Sequence, residues 1–174
     1  WMFVMGLAAS VVGDVILALP DMLQMKAKAT VLTLIGGLSF AVAHIFYISA
    51  MVVSFGFRWW IILVAAALGL IFFFGNKMIG KLDYGKLNAG MPIYSIFVSL
   101  VVAESLMAFI SGAGVLVSIL LLVGFVLFWL SDIVLMNIYF GNRSDNQKVN
   151  LYYYNLTFYY TAQILIAATL YFLI

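Results

Sequence analysis

Asp14 and Asp132 are the residues of this 174-residue chain whose type and setting point most directly to chemistry. Asp14 lies in the apolar run 1–19 and Asp132 in the apolar run Val115–Phe140, each directly after a small residue, Gly13 or Ser131. A carboxylate at membrane depth costs roughly 2.5–3.5 kcal/mol on insertion scales. Two of them in one small protein mark an interior polar site. No basic residue lies inside an apolar run to neutralise them, because the lysines and Arg143 fall in loops and Arg58 sits at a run's edge. Carboxyls buried without a cation hold or share a proton, and a protonated carboxyl beside an ionised one is the arrangement of a general acid and its partner.

Other polar side chains fall at helical spacing. Asn155, Tyr159 and Gln163 are spaced i, i+4, i+8; His44 and Tyr47 are i, i+3; Ser10 and Asp14 are i, i+4. Such spacings put each set on one stripe, and in hydrocarbon a polar stripe must face the bundle interior. Gly36 and Gly37, ahead of Phe40 and His44, suit close packing of their helix against a neighbour. Glu104 reads equally as a site residue or a structural partner. Ser99, Ser105, Ser118 and Asn137 read as interhelical glue, worth under ~1 kcal/mol each.

The elements that must position these groups follow from composition. The chain is 67% hydrophobic and 8% charged, with a mean hydropathy of +1.22. No soluble domain of this length hides that much apolar surface, so the class is a multi-pass membrane protein. A spanning helix needs about 20 apolar residues. Six segments qualify: 1–19, 31–55, 58–74, 91–110, 115–140 and 151–174. The predicted fold is an all-α transmembrane bundle of six helices in a single domain. Barrel strands would alternate over ~10 residues, and these runs do not. Pro20 is expected to close the first helix; 75–90 is the longest connection and 141–150 the most polar.

Seven of the eight basic residues fall in the loops after the first, third and fifth helices: Lys26, Lys28, Lys77, Lys81, Lys86, Arg143 and Lys148. The positive-inside rule makes that side cytoplasmic. By a rise of 1.5 Å per residue, Asp14 then lies roughly 9 Å and Asp132 about 12 Å in from that side. Trp1, Trp59, Trp60 and Tyr152, Tyr153 and Tyr154 sit near span ends, where interfacial aromatics belong. The chain has no cysteine and one histidine, which argues against zinc, and no metal is expected. The small, scattered net charge of +2 argues against nucleic acid. The start at Trp1, inside an apolar run, leads us to expect residues upstream.

Four motifs carry a resemblance. The run from Leu7 to Gly13-Asp14, then Leu19-Pro20, resembles the Gly-Asp element of the YhhN-like lysoplasmalogenase family. Gly36-Gly37 through Phe40 to His44-Ile45-Phe46-Tyr47 resembles its His-x-x-Tyr element. Phe128-Trp129-Leu130-Ser131-Asp132 through Leu135 resembles its Phe-x-x-Ser-Asp-x-x-Leu element. Tyr159-Tyr160-Thr161-Ala162-Gln163 resembles its last. Together the four, in order, cover nearly the whole chain. The resemblance implies about eight membrane helices, two of them upstream of Trp1. It implies hydrolysis of the vinyl-ether bond of lysoplasmalogens to a fatty aldehyde and a glycerophospho-choline or -ethanolamine, with no cofactor. Glu104 matches no motif.

A vinyl ether resists bases and nucleophiles but yields to acid. A proton delivered to the alkene carbon gives an oxocarbenium ion that water captures. One of Asp14 and Asp132 is the expected proton donor; the other, ionised, steadies the cation and orients water, as in glycosidase pairs. His44 tunes the pair or relays protons. Tyr47, Tyr159 and Gln163 are expected to hydrogen-bond the ether oxygen or the water, and Ser10, Ser131 and Asn155 to bind substrate with them. The partners expected are a lysophospholipid substrate and the surrounding membrane lipid, its headgroup near Lys26, Lys28 or Lys148. Two other classes stand beside this one. In-span Asp, His, Glu and Tyr also build the proton relays of transporters and channels, although neither an internal repeat nor a Gly/Pro-broken helix pair is evident. A non-catalytic lipid-binding protein would use the same polar residues as glue.

Overall fold

A computed structural model describes residues 1–23 and 29–173. Among these the chain is all α-helical: α1 (Met2–Met22), α2 (Ala29–Phe55), α3 (Trp60–Met78), α4 (Met91–Ser105), the single turn α5 (Met107–Ile110), α6 (Val115–Phe140) and α7 (Asp145–Leu173). Lys26 and Lys28 lie outside the described residues. The chain divides into two compact units, Trp1–Ser54 and Phe55–Ile174.

The first unit is the pair α1 and α2. On α1 the buried positions Phe3, Gly6, Ser10 and Gly13 recur at helical spacing. Their small members admit the large residues of α2. A Cβ on Gly13 would come within 2.9 Å of the Phe40 ring, and one on Gly36 within 2.6 Å of Leu17. Nothing comes near a Cβ placed on Gly37, so of the two adjacent glycines Gly36 alone serves close packing. Ser39 Oγ donates to the Ala9 carbonyl at 2.8 Å and fixes the register.

The second unit is built on two antiparallel pairs, α3 with α4 and α6 with α7, with α6 also packed on α4 and α3. The α3–α4 crossing is tight at Gly69, where a Cβ would lie 2.4 Å from the Cα of Ile96. Trp129 of α6 donates Nε1–H to Ser99 Oγ of α4 at 2.8 Å, and Ser99 donates onward to the Ser95 carbonyl at 2.7 Å. Ser99 is thus the interhelical tie expected of it, and Asn137 another. Ser105 and Ser118 instead donate to carbonyls one turn back, at Val102 and Gly114. Hydroxyls can satisfy themselves locally in this way.

Among the described residues, five helices are long and apolar enough to cross a membrane, by length and composition: 2–19, 31–55, 60–78, 91–110 and 115–140. The sixth expected span forms a helix as well, α7. Several boundaries also move. Proline fits the φ of a helix, and α1 runs past Pro20 to Met22, closed by Leu23 N–H on the Leu19 carbonyl at 3.0 Å. The third helix continues through Gly75 to Met78. The fourth breaks at Leu106, whose N–H turns to the Ala103 carbonyl in a tighter turn.

The connection 79–90 is pinned rather than loose. Leu82 and Tyr84 are buried with Phe73 and Met91, and Tyr94, Met136 and Phe140 pack on them. Asp83 N–H reaches the Phe140 carbonyl at 3.3 Å. Asp83 Oδ1 accepts from Gly85 N–H at 2.9 Å, and Gly85 takes the left-handed φ of +51° that this turn requires.

Candidate functional site

In the second unit the site residues gather where α6 meets α7. The seam is narrow because Gly124 lets the helices approach; a Cβ there would sit 3.0 Å from Ile166 Cγ1. Asp132, on α6, is 4% exposed. Beside it, Asn155 of α7 donates Nδ2–H to the Ser131 carbonyl at 2.8 Å. Asn155 thereby holds the backbone that carries Asp132. Ser131 donates its hydroxyl to the Phe128 carbonyl at 2.9 Å. One turn along α7, the buried Tyr159 ring meets Phe128 edge-on at 5.5 Å. Gln163, the third residue of the stripe, is half-buried. The α7 stripe thus faces α6, as its i, i+4, i+8 spacing requires. Tyr94 of α4 stands close enough to feel the Asp132 charge. Sequence spacing gave no hint of Tyr94, because α4 carries no polar stripe that includes it.

In the first unit, Ser10 of α1 and Tyr47 of α2 are both buried, and their hydroxyls lie 3.5 Å apart. Asp14, one turn further along α1, is half-buried. His44 is buried, with Nδ1 2.7 Å from the Phe40 carbonyl oxygen. A carbonyl only accepts, so Nδ1 carries the hydrogen and Nε2 is the nitrogen that can accept a proton. The same Phe40 packs on Gly13, the residue before Asp14.

Asp14 lies eight residues before Met22 and Asp132 eight before Phe140. At 1.5 Å per residue each is about 12 Å from the end of its own helix.

The YhhN family model matches residues 1–170. The chain belongs to the YhhN family. The match takes in both units, and with them the Gly-Asp, His-x-x-Tyr, Ser-Asp and Tyr-Tyr-x-x-Gln motifs. No curated protein and no solved structure matches the chain. Membership supports a lysoplasmalogenase-like function at the level of the family, in a multi-pass membrane protein.

Glu104 stands apart. It is fully buried at the end of α4, and neither carboxyl oxygen has a hydrogen-bond partner among the described residues. It lies outside the four motifs read from the sequence.

Proposed function

We propose that this protein hydrolyses the vinyl-ether bond of lysoplasmalogens, releasing a fatty aldehyde and a glycerophospho-choline or -ethanolamine. The observation that carries the reading is membership of the YhhN family over 170 of the 174 residues. The assignment of roles follows from what the reaction needs. One of Asp14 and Asp132, as the acid, delivers a proton to the alkene carbon distal to the ether oxygen. The C=C electron pair forms that C–H bond, and the oxygen lone pair leaves an oxocarbenium ion. The other carboxylate steadies this cation and takes a proton from the water that adds to it. The second carboxyl, now protonated, gives its proton to the departing ether oxygen of the hemiacetal while the first takes the hydroxyl proton. The C–O bond breaks to aldehyde and alcohol, and both carboxyls return to their starting states. His44 relays or tunes protons through Nε2. Tyr47, Tyr159 and Gln163 bind the ether oxygen or the water. Ser10 supports Tyr47, and Asn155 and Ser131 support Asp132.

The test is aldehyde release from a lysoplasmalogen by purified protein. Asp14→Asn and Asp132→Asn keep the shape and lose the proton chemistry. General acid–base catalysis contributes about 10²–10⁴-fold, and each variant should lose activity on that scale while keeping its melting temperature. A wild-type rate in either variant removes that residue from the mechanism. The unpartnered Glu104 favours proton transport as a second reading. Proton flux in liposomes that disappears in Glu104→Gln, with no aldehyde released, would select it.

A further inference from the structure

The end of the second unit where α3 and α6 both stop holds a cleft of about 340 Å³. Its inner walls are Phe72 of α3 with Trp129 and Ile133 of α6, and its outer end carries Asn76, Asn137 and Arg143. Trp129, Ile133 and Asn137 follow at i, i+4, i+8, so the cleft runs about 12 Å along α6, apolar within and polar at the helix end. Ile71 and Ile79 border it and are 62% and 86% exposed. It is therefore an open cleft with an apolar border.

The hydrogen-bond inventory at the polar end is lopsided. Asn137 donates Nδ2–H to Asn76 Oδ1 at 2.8 Å, and Asn137 Oδ1 accepts from Arg143 Nη2 at 2.9 Å. Arg143 Nη2 also reaches the Gly80 carbonyl at 3.1 Å. Both amide oxygens are thus used within the cluster. What remains are donors: Asn76 Nδ2 and Arg143 Nε, both buried and without a partner. Asn76 is 4% exposed. Arg143 forms no ion pair with a described residue, and its guanidinium does not deprotonate. A buried donor left unmade costs about 1–3 kcal/mol. Two of them beside an uncompensated cation call for a ligand that only accepts and is negative.

We infer that this cleft binds a phospholipid: Arg143 and Asn76 hold its phosphate, and an acyl chain lies along Phe72, Trp129 and Ile133. An oxyanion head on an alkyl chain matches a cleft that is donor-rich at one end and apolar at the other. Phosphate is the oxyanion that phospholipids place at the level of helix ends. The site is distinct from the proposed reaction centre, because no residue given a role there lines it, although Trp129 and Ile133 fall within the Ser-Asp motif.

Gly75 supplies a clean variant. It lines the cleft, and a Cβ on it meets nothing within 4 Å. Gly75→Leu fills the apolar end and leaves the Arg143 cluster intact, whereas Arg143→Gln removes the charge. Native mass spectrometry of the full chain in detergent, titrated with dimyristoyl phosphatidylglycerol, reads the binding. The wild-type protein is expected to retain one tightly held lipid. Both variants should bind it at least about tenfold more weakly, the scale of one charge-assisted hydrogen bond. Asp132→Asn should bind as wild type. Dimyristoylglycerol, which lacks the phosphate, and myristate, which offers a carboxylate instead, should compete poorly; inorganic phosphate alone should compete only at far higher concentration. Equal retention by wild type, Gly75→Leu and Arg143→Gln would overturn the inference. Loss of the lipid in Asp132→Asn would do so too, by moving it to the reaction centre. Equal competition by inorganic phosphate would assign the site to a free anion, and equal competition by diacylglycerol or myristate would remove the phosphate from the recognition.

Discussion

Two buried acids in the second unit are put to different uses by the side chains around them, and a buried phenol completes the set. Asp132 stands near Tyr94 of α4, and Asn155 of α7 holds the backbone just before it. Glu104 has no hydrogen-bond partner among the described residues. Replacing an unpartnered buried polar group by an apolar one of similar volume recovers its desolvation cost of about 1–3 kcal/mol. Glu104→Met should therefore raise the thermal unfolding midpoint and leave aldehyde release intact; a lowered midpoint would mean that the carboxyl is structurally engaged. Tyr84, in the connection between α3 and α4, offers a pH test. Its ring stacks on Phe73 at 5.9 Å and meets Phe140 at 5.3 Å, while its hydroxyl is buried without a partner. Burial pushes the phenol above its ordinary value of 10.0. The folded state thus keeps a proton that the unfolded chain releases near pH 10, so the stability is full below that pH and falls as pH rises through the folded value. Tyr84→Phe should match or exceed wild type at neutral pH and lose less stability between pH 9 and 11, followed by circular dichroism. The in-span polar residues were legible because hydrocarbon makes each one conspicuous. Arg143 was read only as a topological charge, since nothing in a loop sequence says that its guanidinium folds back onto Asn137.

At the scale of the elements, what could be read depended on how apolar each end was. The bounds of α6 agree with the sequence reading because the run between Gly114 and Gly141 is strongly apolar, with Asp132 its one charged residue, and has glycine at both ends. The end of α3 was missed because Asn76 and Lys77 look like loop residues, yet Asn76 is paired with Asn137 and the helix can continue. The start of α7 was missed for a similar reason. Ser144 and Gln147 form a reciprocal cap, with Ser144 N–H on Gln147 Oε1 at 3.1 Å and Gln147 N–H on Ser144 Oγ at 3.4 Å. Ser-x-x-Gln is a helix-start signal, and it stood in the sequence inside a stretch read as a polar loop. Ser144→Ala should cost about 0.5–2 kcal/mol, seen as faster amide exchange across the first turns of α7 with the rest of the helix unchanged. The α3–α4 crossing makes the opposite demand. At Gly69 an added methyl meets the backbone at Ile96, which cannot swing aside as a side chain can. Gly69→Ala should destabilise by about 1–3 kcal/mol despite alanine's better helix propensity. Gly75→Ala, on the same helix facing open space, should be neutral or stabilising. Parallel melts of the two variants check the contrast.

The whole molecule sets a constraint that neither residues nor helices impose singly. The two carboxyls of the proposed reaction belong to different units, Asp14 to Trp1–Ser54 and Asp132 to Phe55–Ile174, while the family match runs through both. If the units supply separate functions, substitutions in them act independently and their costs in free energy add. If one reaction uses both carboxyls, the second substitution costs little once the first has disabled the step, as with residues that act as a unit. Asp14→Asn, Asp132→Asn and the double variant therefore form a cycle whose readout is kcat for aldehyde release. Losses of about 10²–10⁴-fold are expected for each single variant, and a loss no more than about tenfold beyond the worse single for the pair. A double variant whose loss is the product of the two would separate the aspartates into independent roles. Unchanged melting temperatures across the four proteins keep that outcome from being mistaken for unfolding. The strong non-additivity expected here would make the reaction a property of the whole chain.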